Sequence, residues 1–128
     1  MYQKGASMEA KELVREIVVS LDKHKAADIQ VIEVTEVTSL GDYFVLATGT
    51  SSTQVKALSD YVEVELEEQG VRPNRTEGYA SSSWVLMDYG TVMVHIFQPE
   101  ARQFYDLERL WKDGRQLSAC AFLPDPES

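Results

Sequence analysis

Apolar residues recur at helical spacing in three parts of the chain. From Ala10 to Leu21 they follow the i, i+3, i+4, i+7 order of one helix face. The same spacing runs from Val55 to Leu66 and again from Phe104 to Trp111. The pattern therefore predicts three helices. The first starts at Met8 with Ser7 as its N-cap, the second starts at the Ser51-Ser52-Thr53-Gln54 capping box and stops at Gly70, and the third starts at Pro99 and stops at Gly114.

Four other stretches have the composition of strands. Ile29 to Val34 is rich in β-branched residues, and Asp42 to Thr48 reads DYFVLAT. Trp84 to Phe97, WVLMDYGTVMVHIF, contains two apolar runs joined by a turn with a glycine, which is typical of a β-hairpin. The order helix, strand, strand, helix, strand, strand, helix predicts a single compact α/β domain with a mixed sheet.

The hairpin has two different faces. With Tyr89-Gly90 as its loop, Trp84 lies opposite His95 and Asp88 opposite Thr91, although a three-residue loop would slide this pairing. By the alternation of side chains along a strand, one face carries Trp84, Leu86, Asp88, Met93 and His95, and the other carries Val85, Met87, Val92, Val94 and Ile96. We expect the aliphatic face to pack against the three helices and the first face to stay partly open for a partner.

The two ends of the chain lack periodicity. Residues 1–7 are expected to be a disordered start or a remnant of expression, and residues 115–128, with Pro124 and Pro126, an irregular tail. The folded domain is accordingly predicted over residues 8–114.

Composition and charge narrow the function classes. The chain has 128 residues, of which 44% are hydrophobic and 26% charged, as in one globular domain. It carries 12 Lys and Arg against 21 Asp and Glu, a net charge of −9, which disfavours direct nucleic-acid binding and leaves a basic protein partner open. A single cysteine, Cys120, and the lack of a spanning run or a leader fit a cytoplasmic protein without a membrane or zinc site.

Two features invite a chemical interpretation. The Gly49-Thr50-Ser51 turn precedes a helix, where backbone amides can bind phosphate, but it lacks the further glycines and the lysine of a Walker loop. A metal site would want paired acids, and the hairpin offers only Asp88. Helix capping is favoured over phosphate binding at this turn. His24, beside Lys23 and Lys25, is interpreted as a solvated residue at a helix end.

Four segments of the chain together resemble one known family. They are DYFVLATGTSSTQV at Asp42 to Val55, EG at Glu77-Gly78, WVLMDYGTVMVHIF at Trp84 to Phe97, and RQFYDLERLW at Arg102 to Trp111. Their sequence and order are similar to those of the ribosomal silencing factors, also called Iojap-like proteins. The resemblance runs from the first helix to Trp111 and leaves out the first seven residues and the tail.

This resemblance implies a fold like that of nucleotidyltransferases but without their catalytic acids, no enzymatic activity and no cofactor. It implies binding to the large ribosomal subunit through the ribosomal protein numbered fourteen, where the bound factor would block joining of the small subunit and repress translation when nutrients are short. It also implies a homodimer in the free state. A phosphate-handling enzyme using Gly49-Thr50-Ser51 is the alternative. The positions that match the family's interaction surface are Trp84, Asp88, Tyr89, Gly90 and His95, with Glu77, Tyr105 and Trp111 as further candidates.

Overall fold

A six-stranded mixed sheet organises the chain in a computed structural model that describes residues 8–124. Across the sheet the strands run β3-β4-β5-β2-β1-β6, and β2 and β5 are parallel while the other neighbours are antiparallel. The mixed α/β single domain predicted from the sequence is confirmed. In chain order the elements are α1 Ala10–Lys23, β1 Ala27–Glu33, β2 Tyr43–Thr48, α2 Ser52–Glu67, β3 Arg75–Glu77, β4 Trp84–Asp88, β5 Val92–Phe97, α3 Pro99–Tyr105, α4 Leu107–Leu110, β6 Arg115–Ser118 and a 3₁₀ helix Ala119–Phe122.

The two long helices, α1 and α2, cover one face of the sheet. We call this the covered face. Apolar side chains at helical spacing meet the alternate, aliphatic positions of the strands, and burial of that surface stabilises the fold. No helix within residues 8–124 is long and apolar enough to cross a membrane. The core on this side includes Leu13, Ile17, Leu21, Val45, Leu58, Val62, Val85, Met87, Val94 and Ile96.

The starts of these two helices differ in their capping. At α2 the predicted N-cap forms, because the Gln54 amide donates to Ser51 Oγ at 3.1 Å, but the capping box is incomplete because the Gln54 side chain accepts from Thr50 rather than from the Ser51 amide. The helix α1 begins after Glu9, which makes no side-chain capping bond. The predicted N-cap of α1, Ser7, lies outside the described residues.

The hairpin keeps its predicted faces but not its predicted register. Trp84 lies opposite Phe97, Leu86 opposite His95 and Asp88 opposite Met93. The loop is Gly90-Thr91 rather than Tyr89-Gly90, since the Tyr89 amide donates to the Val92 carbonyl at 2.9 Å. Gly90 has φ +87°, which a residue without a Cβ adopts at little cost. The register therefore differs from the prediction by two residues, and a shift of two returns every side chain to the same face.

The third helix begins at Pro99 as predicted, but the prediction is wrong in its length and in the sheet face against which it packs. It breaks at Asp106, whose φ of +48° is left-handed, so that α3 and α4 are separate short helices. Neither packs on the covered face with α1 and α2. Leu107 and Ala101 instead pack against the opposite face of the sheet. The apolar residues on either side of Asp106 keep helical spacing in the sequence, and aspartate can adopt the left-handed conformation. The sequence therefore gives no clear signal of the break.

The predictions for residues 115–128 and for the segment before the hairpin also need correction. Residues 115–118 form β6, which pairs with β1, and Phe122 is buried beside α1, so residues 115–122 are not an irregular tail. Residues 75–77, predicted as loop, form β3 on β4. Both are edge strands, of three and four residues, and are largely exposed and polar. Strands this short carry too little hydrophobic alternation to be predicted.

His24 is not simply solvated. Its ring stacks on Tyr61 with centroids 3.6 Å apart, and its Nε2 lies 2.8 Å from Glu65 Oε2. Burial raises the pKa of Glu65, but its close contacts with His24 and Lys23 outweigh burial and hold that pKa at about 2. His24 therefore ties the end of α1 to α2.

Candidate functional site

The sheet face opposite α1 and α2 carries most of the candidate residues. Its floor is apolar, and short helices cover only part of it. We call this side the aromatic face and define its outer layer as Trp84, Leu86, Asp88, Tyr105 and Trp111, all of which are at least partly exposed. Beneath that layer lie Ile32, Val34, Phe44, Leu46, Met93, Phe97 and Leu107.

Trp84 stands at the centre of the aromatic face. Its ring packs on Phe97 with centroids 5.2 Å apart and on Tyr105 at 4.6 Å. Its indole Nε1 donates to His95 Nδ1 at 3.1 Å. One side of the ring is thus fixed by the protein while another part remains accessible, which is the geometry of an aromatic anchor.

His95 lies beneath Trp84 and is only 6% exposed. Because its Nδ1 accepts the indole hydrogen bond, the neutral ring carries its proton on Nε2, and that atom has no hydrogen-bond partner among the described residues. Burial lowers the pKa of His95 to about 4, so the ring is neutral at pH 7. His95 belongs to the site as a support for Trp84 and not as a contact surface of its own.

A polar rim closes one end of the aromatic face. Asp88 Oδ2 lies 3.1 Å from Arg75 Nε, and Asp88 Oδ1 accepts from the Gly90 amide at 2.8 Å. The same arginine reaches Glu77 at 2.7 Å. The structure thus brings Asp88 and Glu77 together at Arg75, a cation that the sequence does not single out, and Gly90 holds the second carboxylate oxygen of Asp88. Arg75 stands two residues from Glu77 on β3, and the alternation along that strand is the signal that could have identified it.

Tyr89 belongs to the other side of the sheet. It is buried with the core beneath α2, and its hydroxyl has no partner among the described residues. Burial raises the pKa of Tyr89, and the nearby carboxylate of Glu63 raises it further. Tyr89 therefore does not share a surface with Trp84.

The α3–α4 segment exposes additional large apolar side chains. Tyr105 is 48% exposed and Phe104 is 80% exposed, and Leu110 is also exposed. Trp111 meets Phe44 edge to face at 5.3 Å. Phe104 and Leu110 fit the spacing of one face of the third predicted helix. The break at Asp106 places them on the surface beside the aromatic face.

The turn at Gly49 has a structural explanation. A Cβ on Gly49 would lie 2.9 Å from Val55 Cγ2, so glycine allows α2 to approach β2 closely. The Thr50 amide and hydroxyl both donate to Gln54 Oε1, at 2.6 and 2.9 Å. The amide and hydroxyl of Thr50 are thus used within the turn. Residues 8–124 also contain no group of three His, Cys, Asp or Glu side chains placed to hold a metal ion.

Comparison with known proteins decides the family. The sequence matches the family described as ribosomal silencing factor during starvation over residues 7–127. The chain belongs to the ribosomal silencing factor family. It is 41% identical over 104 residues to the ribosomal silencing factor of Chromobacterium violaceum, covering 81% of this chain and 85% of that protein. It is 35% identical over 107 residues to the one of Halalkalibacterium halodurans, covering 84% of this chain and 92% of that protein.

A solved structure extends the likeness to the fold. A crystal structure of a Chromobacterium violaceum protein superposes with a TM-score of 0.80 at 40% identity, covering 87% of this chain and 92% of that one. The resemblance drawn from the four segments is thereby confirmed. The match to the ribosomal silencing factor family extends past Trp111 and includes β6, which pairs with β1. The expectation that the chain is not an enzyme is confirmed by its family, while the likeness to nucleotidyltransferases stays a prediction.

Proposed function

We propose that this protein binds the large ribosomal subunit with its aromatic face and thereby silences ribosomes. The proposed contact is the ribosomal protein numbered fourteen, and the bound factor sterically blocks joining of the small subunit in the cytoplasm, so that translation falls when nutrients are limiting. Membership of the ribosomal silencing factor family is the observation that carries this proposal.

The shape of the aromatic face supports a docking role. Interfaces concentrate their binding energy in a few aromatic side chains near the centre, surrounded by polar groups that exclude water. The rings of Trp84 and Tyr105 are in contact, with centroids 4.6 Å apart, and both side chains remain partly exposed. Asp88 and Glu77 at the rim supply the polar border. A stable blocker needs a total buried area on the order of 1,000 Å² or more, and this face together with the exposed α3–α4 side chains offers a continuous apolar centre for it.

Charge favours a protein contact over an RNA contact. With a net charge of −9, the molecule is attracted to a basic ribosomal protein and repelled by rRNA phosphates. Two carboxylates, Asp88 and Glu77, stand at the rim of the aromatic face, where Lys or Arg side chains of a partner could meet them. Charge thus orients the molecule as well as attracting it.

Co-sedimentation with isolated large subunits tests the proposal. We expect the protein to travel with the large subunit in a sucrose gradient and to reduce the yield of joined ribosomes when small subunits are added. Protein that stays at the top of the gradient, with joining unaffected, would refute the proposal.

A matched pair of variants locates the binding surface. Tyr105 and Tyr61 are similarly exposed, at 48% and 45%, but Tyr105 lies on the aromatic face and Tyr61 on α2. Tyr105→Ala should weaken subunit binding about tenfold, and Tyr61→Ala should leave it unchanged. Equal effects of the two substitutions would show that the aromatic face is not the binding surface.

Self-association is the second use proposed for this face. The free protein is expected to be a homodimer, in which an exposed apolar patch would be shared between two copies. Sedimentation equilibrium of the wild type and Tyr105→Ala tests this directly. A wild-type protein that remains monomeric at high concentration and still binds large subunits would exclude self-association as a use of the face.

A further inference from the structure

The α3–α4 segment, residues 99–110, has little hydrophobic anchoring of its own. The helix α3 contains no buried residue, and α4 contributes only Leu107. The same segment presents Phe104 and Tyr105 to solvent. Burial of apolar surface is the usual reason that a short helix holds its position, so a different interaction must fix this one.

Arg102 supplies that interaction. Its side chain is only 12% exposed, although it projects from a helix without a buried residue. Its guanidinium donates to Thr48 Oγ1 at 2.9 Å, to the Asp28 carbonyl at 2.6 Å, and to Glu108 Oε2 at 2.7 and 2.9 Å. One side chain thus joins α3 to α4, to the end of β2 and to the start of β1. The planar fork of an arginine can make all these bonds at once, which a lysine cannot.

Two open hollows on the surface border this guanidinium. One of about 520 Å³ is lined by Arg102, Glu108, Asp28 and residues of β6, and the other, of about 340 Å³, is lined by Arg102, Glu108, Asp28 and Thr48. Few apolar side chains of the segment, Leu107 and Ala101 among them, pack on the sheet beneath it. Without the guanidinium, these contacts would be left to hold the segment in place.

We infer that Arg102 is a positioning residue for the docking face, because its ion pair with Glu108 and its bonds to Asp28 and Thr48 hold Tyr105 against Trp84. Tyr105 stands three residues after Arg102 and contacts Trp84 at 4.6 Å, so movement of α3 separates the two rings. The inference rests on the proposed function for its consequence in binding, but its structural part can be measured separately.

Amide hydrogen exchange tests the structural part without a ribosome. In Arg102→Met we expect amides of residues 102–111 to exchange about tenfold faster or more, while amides of β2 and β5 keep their wild-type rates. Arg109→Met, an exposed arginine of the same segment, is the matched control and should change neither set. Unchanged exchange in the segment overturns the inference, and so does uniform acceleration, because Arg102 would then stabilise the whole core.

Subunit binding and a conservative variant test the consequence. Arg102→Met and Glu108→Leu should each weaken binding to large subunits about tenfold, whereas Glu108→Gln, which retains an oxygen acceptor, should recover most of the affinity. Arg72→Met, at an exposed arginine that pairs only with Glu67 among the described residues, controls for loss of a positive charge. Wild-type affinity in Arg102→Met, with wild-type protein binding normally, refutes the inference alone. Failure of the wild type to bind refutes the proposed function and leaves the exchange experiment as the test of Arg102.

Discussion

The two faces of the sheet use the same strands for different purposes. On β4, Val85 and Met87 point under α1 and α2 and are fully buried, while the alternating Trp84, Leu86 and Asp88 are partly exposed on the aromatic face. The covered face has two long helices against it, and the aromatic face has two short ones. Residues that stabilise the core therefore alternate with residues that form the open surface along this strand. Substitutions at neighbouring positions should accordingly affect either stability or binding.

The largest expected effect is on the covered face. Ile96→Ala removes a fully buried side chain from the core against α1 and α2, and should lower the free energy of unfolding by about 2–5 kcal/mol. Urea unfolding followed by far-UV circular dichroism measures this. Molecules that remain folded should bind large subunits normally, and a selective loss of binding by the folded fraction would contradict the division between the faces.

On the aromatic face, Trp84→Ala should reduce the free energy of subunit binding by about 2 kcal/mol or more. It should also destabilise the fold by about 1–3 kcal/mol, because His95 Nδ1 is left buried without its donor. Isothermal calorimetry and urea unfolding separate the two losses. Trp84→Phe retains an aromatic ring but lacks the donor, so it should recover part of the affinity for the subunit but little of the stability lost with the hydrogen bond. Full binding by Trp84→Ala would show that Trp84 is not part of the interface.

The pH dependence of the free energy of unfolding should reveal the protonation of His95, which lies beneath Trp84. Its pKa is about 4 in the folded protein against 6.5 for the ordinary side chain, so between these pH values the unfolded chain binds a proton that the folded chain does not. Stability should therefore fall as the pH drops from about 6.5 to 4, with a limiting slope of about 1.4 kcal/mol per pH unit.

His95→Asn tests this assignment, since its amide oxygen can accept the Trp84 hydrogen bond but does not titrate. Urea unfolding at a series of pH values should show a shallower slope in this variant over the same range. The Glu65 carboxyl, with its pKa of about 2, loses its stabilising contribution only below about pH 4.5 and thus in a lower window. An unchanged slope in His95→Asn would assign the effect to another group.

The smallest effect is expected at the rim. Arg75→Ala breaks the pairs with Asp88 and Glu77, but the arginine is more than half exposed, so the free energy of unfolding should change by less than about 1 kcal/mol. Unfolding at low and high salt measures the difference, and Arg115→Ala, which loses a pair with Glu33 on the opposite edge, is the control. A loss of several kcal/mol would mean that the rim belongs to the core.

Strong local patterns made much of the fold predictable. Val55 to Leu66 after a capping-box sequence, and the alternation along Trp84 to Asp88, determine a helix and a two-faced strand without reference to distant residues. The hairpin register was not predictable, because it depends on which residue takes the positive φ in the turn, and Gly90 fits either loop.

The candidate site was predictable in part. Trp84, Asp88, Tyr105 and Trp111 came from the family resemblance and lie on one face. The burial of His95 and the separation of Tyr89 follow from packing across the sheet, and the contribution of Arg102 follows from partners 54 and 74 residues away. Contacts at such sequence distances leave no trace in local spacing.

Both edges of the sheet are short and polar. The outer strands, β3 and β6, have three and four residues and largely exposed side chains, so they offer few free backbone groups to a neighbouring molecule. Growth of the sheet by strand addition from a second copy is accordingly disfavoured, and a dimer would have to meet through a face. Because the covered face is occupied by α1 and α2, the aromatic face is the sheet face that a second copy could share with the ribosome. Dimerisation would then compete with docking, and the concentration of the protein itself would set how much of it is free to act.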